Sequence, residues 1–525
     1  MTPRAPPPRI AHRTHTPRAR TAVNPPRIDA PARVVPRRRP TTRLCATTAA
    51  APARAAFTAV DAFAARARAP PSPATMSAIA AALAALAAFA AFATKRRRSS
   101  TPRPKVVVLG AGFAGVQAAI DLRAHCDVEV IDGKEYFEFV PGTLAALVGA
   151  SPMSTSTFAD DAARAAQRRT MVPYAEIFKD SRVRFTCTRG REVDVRDDCV
   201  VIRGEGSSTT ERRAYYDELV VATGSAYAGV LKSSGVGRES TMEGRLDAYA
   251  EARARIVRAK TTTIVVGGGV VGVELAAELA ARATKADNGS TVALLHAGER
   301  LLDALPEHVS AYVTKALVKA GVEVHVGQKY ERDGDAFVGA ANKNVIRGDY
   351  VLMAVGSKPA TEFLKQRTDA SITDDGAHRL DVPLDQFGRI RIDASTRRVV
   401  GSSRVYAVGD VASKPPEHML ASYAHWEAEY VAARIKRKHD AKALARLGAY
   451  VPPPRFMAIS LGSFDGVVVW GDRVLASGVL AAMFKALVQF WFIRFLPAPY
   501  GVMKMLPRMR VGTRDPPGRW STAAS

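Results

Sequence analysis

The chain has 525 residues, 47% apolar and 24% charged, enough for a large core and too long for one ordinary domain. Its net charge of +25 is uneven: residues 1–104 carry 19 Lys/Arg against Asp29 and Asp61, leaving +8 for the rest and disfavouring a nucleic-acid reading of the high pI. Cys45, Cys126, Cys187 and Cys199 form no C-x-x-C or C-x4-C pair, so no zinc site, disulfide framework or redox dithiol can be read.

Residues 1–75 are rich in Arg, Pro, Ala and Thr and nearly free of acids. Such a composition buries too little apolar surface to fold and resembles an organelle transit peptide, plastid ahead of mitochondrion. Sixteen uncharged, mostly Ala residues, 78–93, then precede Lys95-Arg96-Arg97-Arg98. They are short of the roughly 20 strongly apolar residues of a bilayer span. The stretch reads as a marginal span, a second targeting segment or a tether, with Met76 as a possible alternative start. Residues 1–104 are therefore taken as a targeting leader.

Lys105–Leu109 is apolar without alternation, as in a parallel strand covered on both faces. Gly110, Gly112 and Gly115 follow, with Phe113 and Ala114 opening a helix predicted over 114–125. A second strand over 128–131 ends at Asp132. Strand, G-x-G-x-x-G, helix, strand and acid make a dinucleotide cradle, with Asp132 placed for a ribose hydroxyl. The scheme repeats at 263–266, Gly267, Gly269 and Gly272, a helix over 273–282 and a strand at 291–295. There His296 stands where an acid is expected, with Glu299 and Arg300 beyond; His and Arg tolerate a 2′-phosphate that a carboxylate would repel. Two cradles imply two dinucleotides, a retained flavin nucleotide and an exchanging nicotinamide nucleotide.

Between and after the cradles come YDELVVATGS with Thr223 and Gly224, YVLMAVGSKP with Gly356, and VYAVGDV with Gly409 and Asp410. Each reads as a strand ending in small residues close to a nucleotide. The C-terminal VLAAMFKALVQFWFIRFLPAPYG, 479–501, sets Lys485 and Gln489 on one face among aromatics. With Arg494, Lys504, Arg508 and Arg510, it has the composition of a monotopic anchor or, alternatively, of a core or dimer-interface helix.

In order, GAGFAGVQAA, KEYFEFVPGTLAALV, VVATGS, VVGGGVVGVELAAEL, LLDALPEHV, VYAVGDVAS and YVPPPRFMAISLGSFDGV resemble the FAD-dependent pyridine nucleotide oxidoreductases. Within these, the resemblance is to the ferroptosis-suppressor and apoptosis-inducing-factor-homologue branch, related to alternative NAD(P)H dehydrogenases. It implies an α/β fold of two Rossmann-like domains, the nucleotide domain inserted in the FAD domain, plus a C-terminal α+β segment. Expected boundaries are 105–244 and 376–440 for FAD, 245–375 for NAD(P)H and 441–525 for an interface or membrane segment. It also implies FAD and NAD(P)H as cofactors, a lipid quinone as acceptor and peripheral membrane association, with a homodimer open. Gly110, Gly112, Gly115, Asp132 and Asp410 then hold FAD; Gly267, Gly269 and Gly272 hold the nicotinamide nucleotide. Glu274 sits near the nicotinamide and flavin as a positioning or proton-relay group. Where alternative dehydrogenases carry a Gln-rich quinone motif, this chain has His425, Trp426 and Glu427; Trp426 and Glu427 are expected to line the acceptor side. Two further readings stay open: a reductase of a soluble electron carrier, and a redox-dependent interaction or signalling flavoprotein.

Overall fold

The computed structural model describes residues 102–496, apart from stretches at 150–159, 180–181, 204–210, 228, 234, 260, 287–289, 335 and 366–379. The leader, its 78–93 segment and the bases at 504, 508 and 510 lie outside the described residues.

Val106, Val107 and Val108 are apolar on both faces and each at most 1% exposed, so their strand can only be central. Lys105–Leu109 pairs in parallel with Asp127–Asp132 on one side and Glu218–Val221 on the other. Val183–Cys187 and Val405–Ala407 complete a five-stranded parallel sheet. Its order reverses between Lys105–Leu109 and Glu218–Val221, and ligands of open α/β sheets bind at such a reversal, beyond the carboxyl ends of the strands. The helices Phe113–Leu122 and Ala421–Lys436 cover one face. Ala118 and Ala119 on the first, and Ala424, Ala428 and Ala432 on the second, permit close approach.

The intervening chain builds a second parallel sheet in the order Val322–His325, Thr291–Leu295, Thr262–Val266, Tyr350–Met353. It too reverses direction beside its glycine strand. The chain leaves the first sheet through Ser225–Ala226 and returns through Lys358–Pro359, and these two segments pair antiparallel. Thr223 donates to the Ala360 carbonyl at 2.8 Å and the Ala360 N–H to the Gly224 carbonyl at 2.9 Å, closing the same crossing. Beyond it, Phe456–Ser460, Gly466–Trp470 and Arg473–Ser477 form an antiparallel sheet backed by the helix Val479–Phe495. The α/β fold with two Rossmann-like sheets and an α+β C-terminal segment is thus what the sequence implies. The second cradle helix, Val270–Ala286, starts a turn earlier and runs a turn longer than its apolar pattern suggests.

Arg245, from the helix Met242–Arg258, is fully buried. It donates to Glu138 at 2.8 Å, to Glu239 at 2.9 Å and to the Val230 carbonyl at 2.9 Å, and its guanidinium lies 4.2 Å from the Tyr249 ring centroid. Tyr249 donates to Glu138 as well, at 2.8 Å. Burial pushes the Glu138 carboxyl up, but Arg245 and Lys134 hold it below its ordinary range. Removing one member of a buried pair strands the other charge. Arg245→Met is therefore expected to lower unfolding free energy by about 3–5 kcal/mol in chemical denaturation, and the double variant with Glu138→Gln to recover most of that loss.

Candidate functional site

The two cradles are built alike, down to their backbone contacts. The Gly110 N–H donates to the Ile131 carbonyl at 2.7 Å and the Gly267 N–H to the Leu295 carbonyl at 2.8 Å, so each glycine turn is tied to the neighbouring strand. Gly110 has φ +94°, and a Cβ there would sit 2.5 Å from the Ala222 carbonyl oxygen. A Cβ on Gly115 would come within 1.8 Å of the Gly110 oxygen, and one on Gly272 within 1.8 Å of the Gly267 oxygen; only glycine lets helix and strand pack this closely. Gly112 and Gly269, by contrast, face open space in which a pyrophosphate fits against free backbone. Gly356 is likewise open, on the loop after Tyr350–Met353, next to Val355, which packs on Gly267.

The residue closing each cradle accepts the N–H between the first two glycines. In the first, Asp132 accepts from Ala111 at 2.6 Å and from Lys134 at 2.8 Å. In the second, His296 Nδ1 accepts from Gly268 at 3.2 Å. His296 therefore does what an aspartate would do for the turn, and with Nδ1 as acceptor the ring proton is assigned to Nε2. Among the described residues that Nε2 is buried without a hydrogen-bond partner, 3.8 Å from Asp303, so the second cradle presents a donor where the first presents a carboxylate. Arg300, expected at a phosphate, donates instead to the Asp303 carbonyl at 2.8 Å and, weakly, to that of Leu302 at 3.5 Å.

Asp410 accepts from Ser225 at 2.9 Å, and Lys232 donates to the same hydroxyl at 3.2 Å. These groups stand at the carboxyl ends of Glu218–Val221 and Val405–Ala407, beside Gly224. The Lys232 ammonium is pushed down by burial and pulled back by Asp410.

Trp426 and Glu427 do not line an acceptor pocket. Glu427 is fully buried; one oxygen accepts the Gly409 N–H at 2.7 Å, and the other accepts from Arg397 at 2.9 Å and Lys414 at 3.0 Å. It holds the Gly409-Asp410 turn from behind, and the Gly409 N–H is spent on it. Trp426 is 8% exposed and packs edge-to-face on Tyr423.

Glu274 has a partner that sequence spacing could not supply. Its Oε1 accepts from Lys485 at 2.5 Å and from the Ser460 N–H at 2.9 Å. Lys485 also donates to the Ser460 hydroxyl at 2.9 Å. Two turns further along the same helix, Phe492 lies 5.2 Å from Phe113, 5.7 Å from Phe137 and 5.4 Å from Phe139. One helix thus touches the glutamate of the second cradle and the first helical residue of the first. Its other side exposes Leu480 at 71%, Met483 at 63%, Leu487 at 52% and Phe490 at 61%. Among the described residues no helix is long and apolar enough to cross a membrane.

Cys126 and Cys199 are buried, and burial pushes both thiols up to about 11, away from the thiolate form that dithiol chemistry needs.

A family model described as pyridine nucleotide-disulphide oxidoreductase matches residues 104–428. Ferroptosis suppressor protein 1 of Xenopus laevis is 26% identical over 375 residues, covering 69% of this chain and 87% of its own length. Among solved structures, NDH2 from Plasmodium falciparum in complex with NADH aligns with a TM-score of 0.57 at 15% identity, over 75% of this chain and 97% of its own. The sulfide:quinone oxidoreductase of Aquifex aeolicus aligns with a TM-score of 0.58 at 16% identity, over 78% and 96%. Two glycine cradles on two parallel sheets and a family match across most of the folded chain lead to one conclusion: this is a member of the pyridine nucleotide-disulphide oxidoreductase family, an oxidoreductase of FAD and NAD(P)H.

Proposed function

We propose that the chain is an NAD(P)H:quinone oxidoreductase whose acceptor is a lipid quinone. The observation that carries this reading is the helix Val479–Phe495, which meets both cradles through Lys485 and Phe492 while offering an apolar face outward. An electron sink that stays in a bilayer requires such a face beside the flavin. The name of one similar structure, a sulfide:quinone oxidoreductase, supports it. The organelle, plastid ahead of mitochondrion, is proposed from the leader's composition.

FAD, when bound, supplies the two-electron carrier between the nicotinamide and the acceptor. Backbone N–H groups around Gly112 and the N-terminus of the Phe113–Leu122 helix would hold its pyrophosphate, Asp132 its ribose, and Asp410 with Ser225 its far end. The second cradle would hold NAD(P)H in the same way, with the His296 Nε2–H facing the adenosine ribose. Glu274, fixed by Lys485 and the Ser460 N–H, is positioned to accept a hydrogen bond from the nicotinamide carboxamide. It and Lys485 also form a short path along which a proton reaches the acceptor side. The Phe113, Phe137, Phe139 and Phe492 cluster keeps that side dry.

The test is anaerobic. NADH or NADPH should bleach the flavin of the purified protein, and a lipid quinone should restore the colour with a stoichiometry of one per flavin. Restoration by a ferredoxin-like carrier and not by quinone would replace this reading with that of a soluble-carrier reductase. At His296, introducing Asp should raise KM for NADPH about tenfold or more while sparing NADH, since a carboxylate repels the 2′-phosphate; parallel steady-state titrations read the difference. On the outer helix face, each buried Leu, Met or Phe is worth about 1.5–3 kcal/mol. Leu480→Ser with Met483→Ser and Phe490→Ser should therefore abolish co-sedimentation with anionic phospholipid vesicles without changing flavin content.

A further inference from the structure

The first cradle lies on a closed ring of contacts. Asp132 ties the glycine turn to Lys134, accepting from the Ala111 N–H at 2.6 Å and from the Lys134 N–H at 2.8 Å. Gly133 meets the segment after Lys232: a Cβ on it would lie 2.7 Å from the Gly235 carbonyl oxygen, and one on Gly235 would lie 3.4 Å from Lys134 Cγ. Tyr136 donates to the Ser233 hydroxyl at 3.2 Å and fastens the same join. From there the Lys232 ammonium donates to Ser225 at 3.2 Å, and Ser225 donates to Asp410 at 2.9 Å. A Cβ on Gly409 would lie 3.8 Å from that of Ala114, which brings the ring back to the first turn of the cradle helix. The arc between Ala111 and Ala114 is Gly112 and Phe113, the N-terminus of that helix, whose N–H groups have no intrahelical acceptor.

Asp132, Lys134, Lys232 and Asp410 are the charged side chains that carry this ring. Among the described residues neither ammonium is in an ion pair: Lys232 gives one N–H to a neutral hydroxyl, and Lys134 lies 5.2 Å from the centroid of the Tyr136 ring. Both side chains belong to half-buried residues. Burial pushes the Lys232 ammonium down, Asp410 pulls it back, and Lys134 pushes it down again, so the two lysines feel each other. Two such cations, brought together without a counter-ion, call for an anion. Lys232 stands between Asp132, placed for the ribose, and the pair Asp410–Ser225, placed for the far end of FAD. The part of FAD between those ends is the diphosphate, which is anionic whether the ring is oxidised or reduced. The second cradle has Gly298 two residues after His296, where the first has Lys134 two after Asp132, and the lysine that follows Gly356, Lys358, is exposed. We propose that Lys134 and Lys232 are the counter-ions of the FAD diphosphate and the reason that the first cradle retains its dinucleotide while the second exchanges its own. The inference rests on FAD in the first cradle and is independent of the identity of the electron acceptor.

The test compares the full-length protein with Lys232→Met, Lys232→Arg and Lys134→Met. The dissociation constant of FAD is read from the fluorescence of released flavin on dilution. The midpoint potential of the bound flavin comes from an anaerobic spectral titration, KM for NAD(P)H from rates at saturating FAD, and the fold from circular dichroism. Lys232→Met should raise the FAD dissociation constant about tenfold or more, and Lys134→Met about threefold or more. Lys232→Arg keeps the charge and should stay within about threefold of the wild type. The midpoint potential and KM for NAD(P)H should not move, because the diphosphate keeps its charge on reduction and the second cradle is untouched. Unchanged FAD affinity in both Met variants overturns the assignment. A shifted potential with unchanged affinity overturns it too, since the ammonium then faces the isoalloxazine ring. A KM for NAD(P)H that rises in step with the FAD dissociation constant overturns the division between the cradles. If Lys232→Met loses its secondary structure, the other two variants decide: full affinity in Lys134→Met, or a tenfold loss in a folded Lys232→Arg, overturns the proposal.

Discussion

The contact between Glu274 and Lys485 joins residues 211 positions apart, and the seating of the C-terminal helix on the second cradle depends on it. Without it the helix Val479–Phe495 would rest on the three strands before it and on phenylalanine packing at Phe492. With it, that helix is registered against the second cradle to within one side chain. Both partners are mostly buried, at 6% and 14% side-chain exposure, so the pair is screened little by solvent. Ser460 completes it by giving Glu274 a backbone N–H and receiving a donor from Lys485. A buried carboxylate and ammonium that satisfy each other and share a third partner specify one position where apolar packing alone would permit several.

Local pattern carried most of the framework. The glycine spacings, the apolar strands before them and Asp132 after them are short-range features, and the sheet is assembled from them as their order implies. The same holds for Gly224, Gly409 and Asp410, which mark strand ends. Long-range pairing was not legible. Glu427 is expected from the resemblance to line the acceptor side, yet it is fully buried because Arg397, 30 residues earlier, and Lys414, 13 residues earlier, converge on it. Nothing in the spacing announces that convergence. Arg300 shows the converse: a basic residue in the right neighbourhood, drawn off by two carbonyls of its own loop.

The comparison of Asp132 with His296 shows how one architectural duty separates from one chemical duty. Both side chains tether the N–H after the first glycine to the strand behind it. Either residue type does that, so the turn is indifferent to the exchange. What differs is what remains: spare lone pairs on the carboxylate, a spare proton on the imidazole. The scaffold can therefore hold two cradles of the same geometry with opposite polarity at the closing residue.

The antiparallel ribbon of Ser225–Ala226 and Lys358–Pro359 has a consequence for the chain's modularity. The entry and exit of the whole second sheet are neighbours, so the path of about 130 residues begins and ends at one place. The segment between is nonetheless stitched down twice more, by Arg245 on Glu138 and by Glu274 under Lys485, so exchanging it would strand a buried charge at each seam.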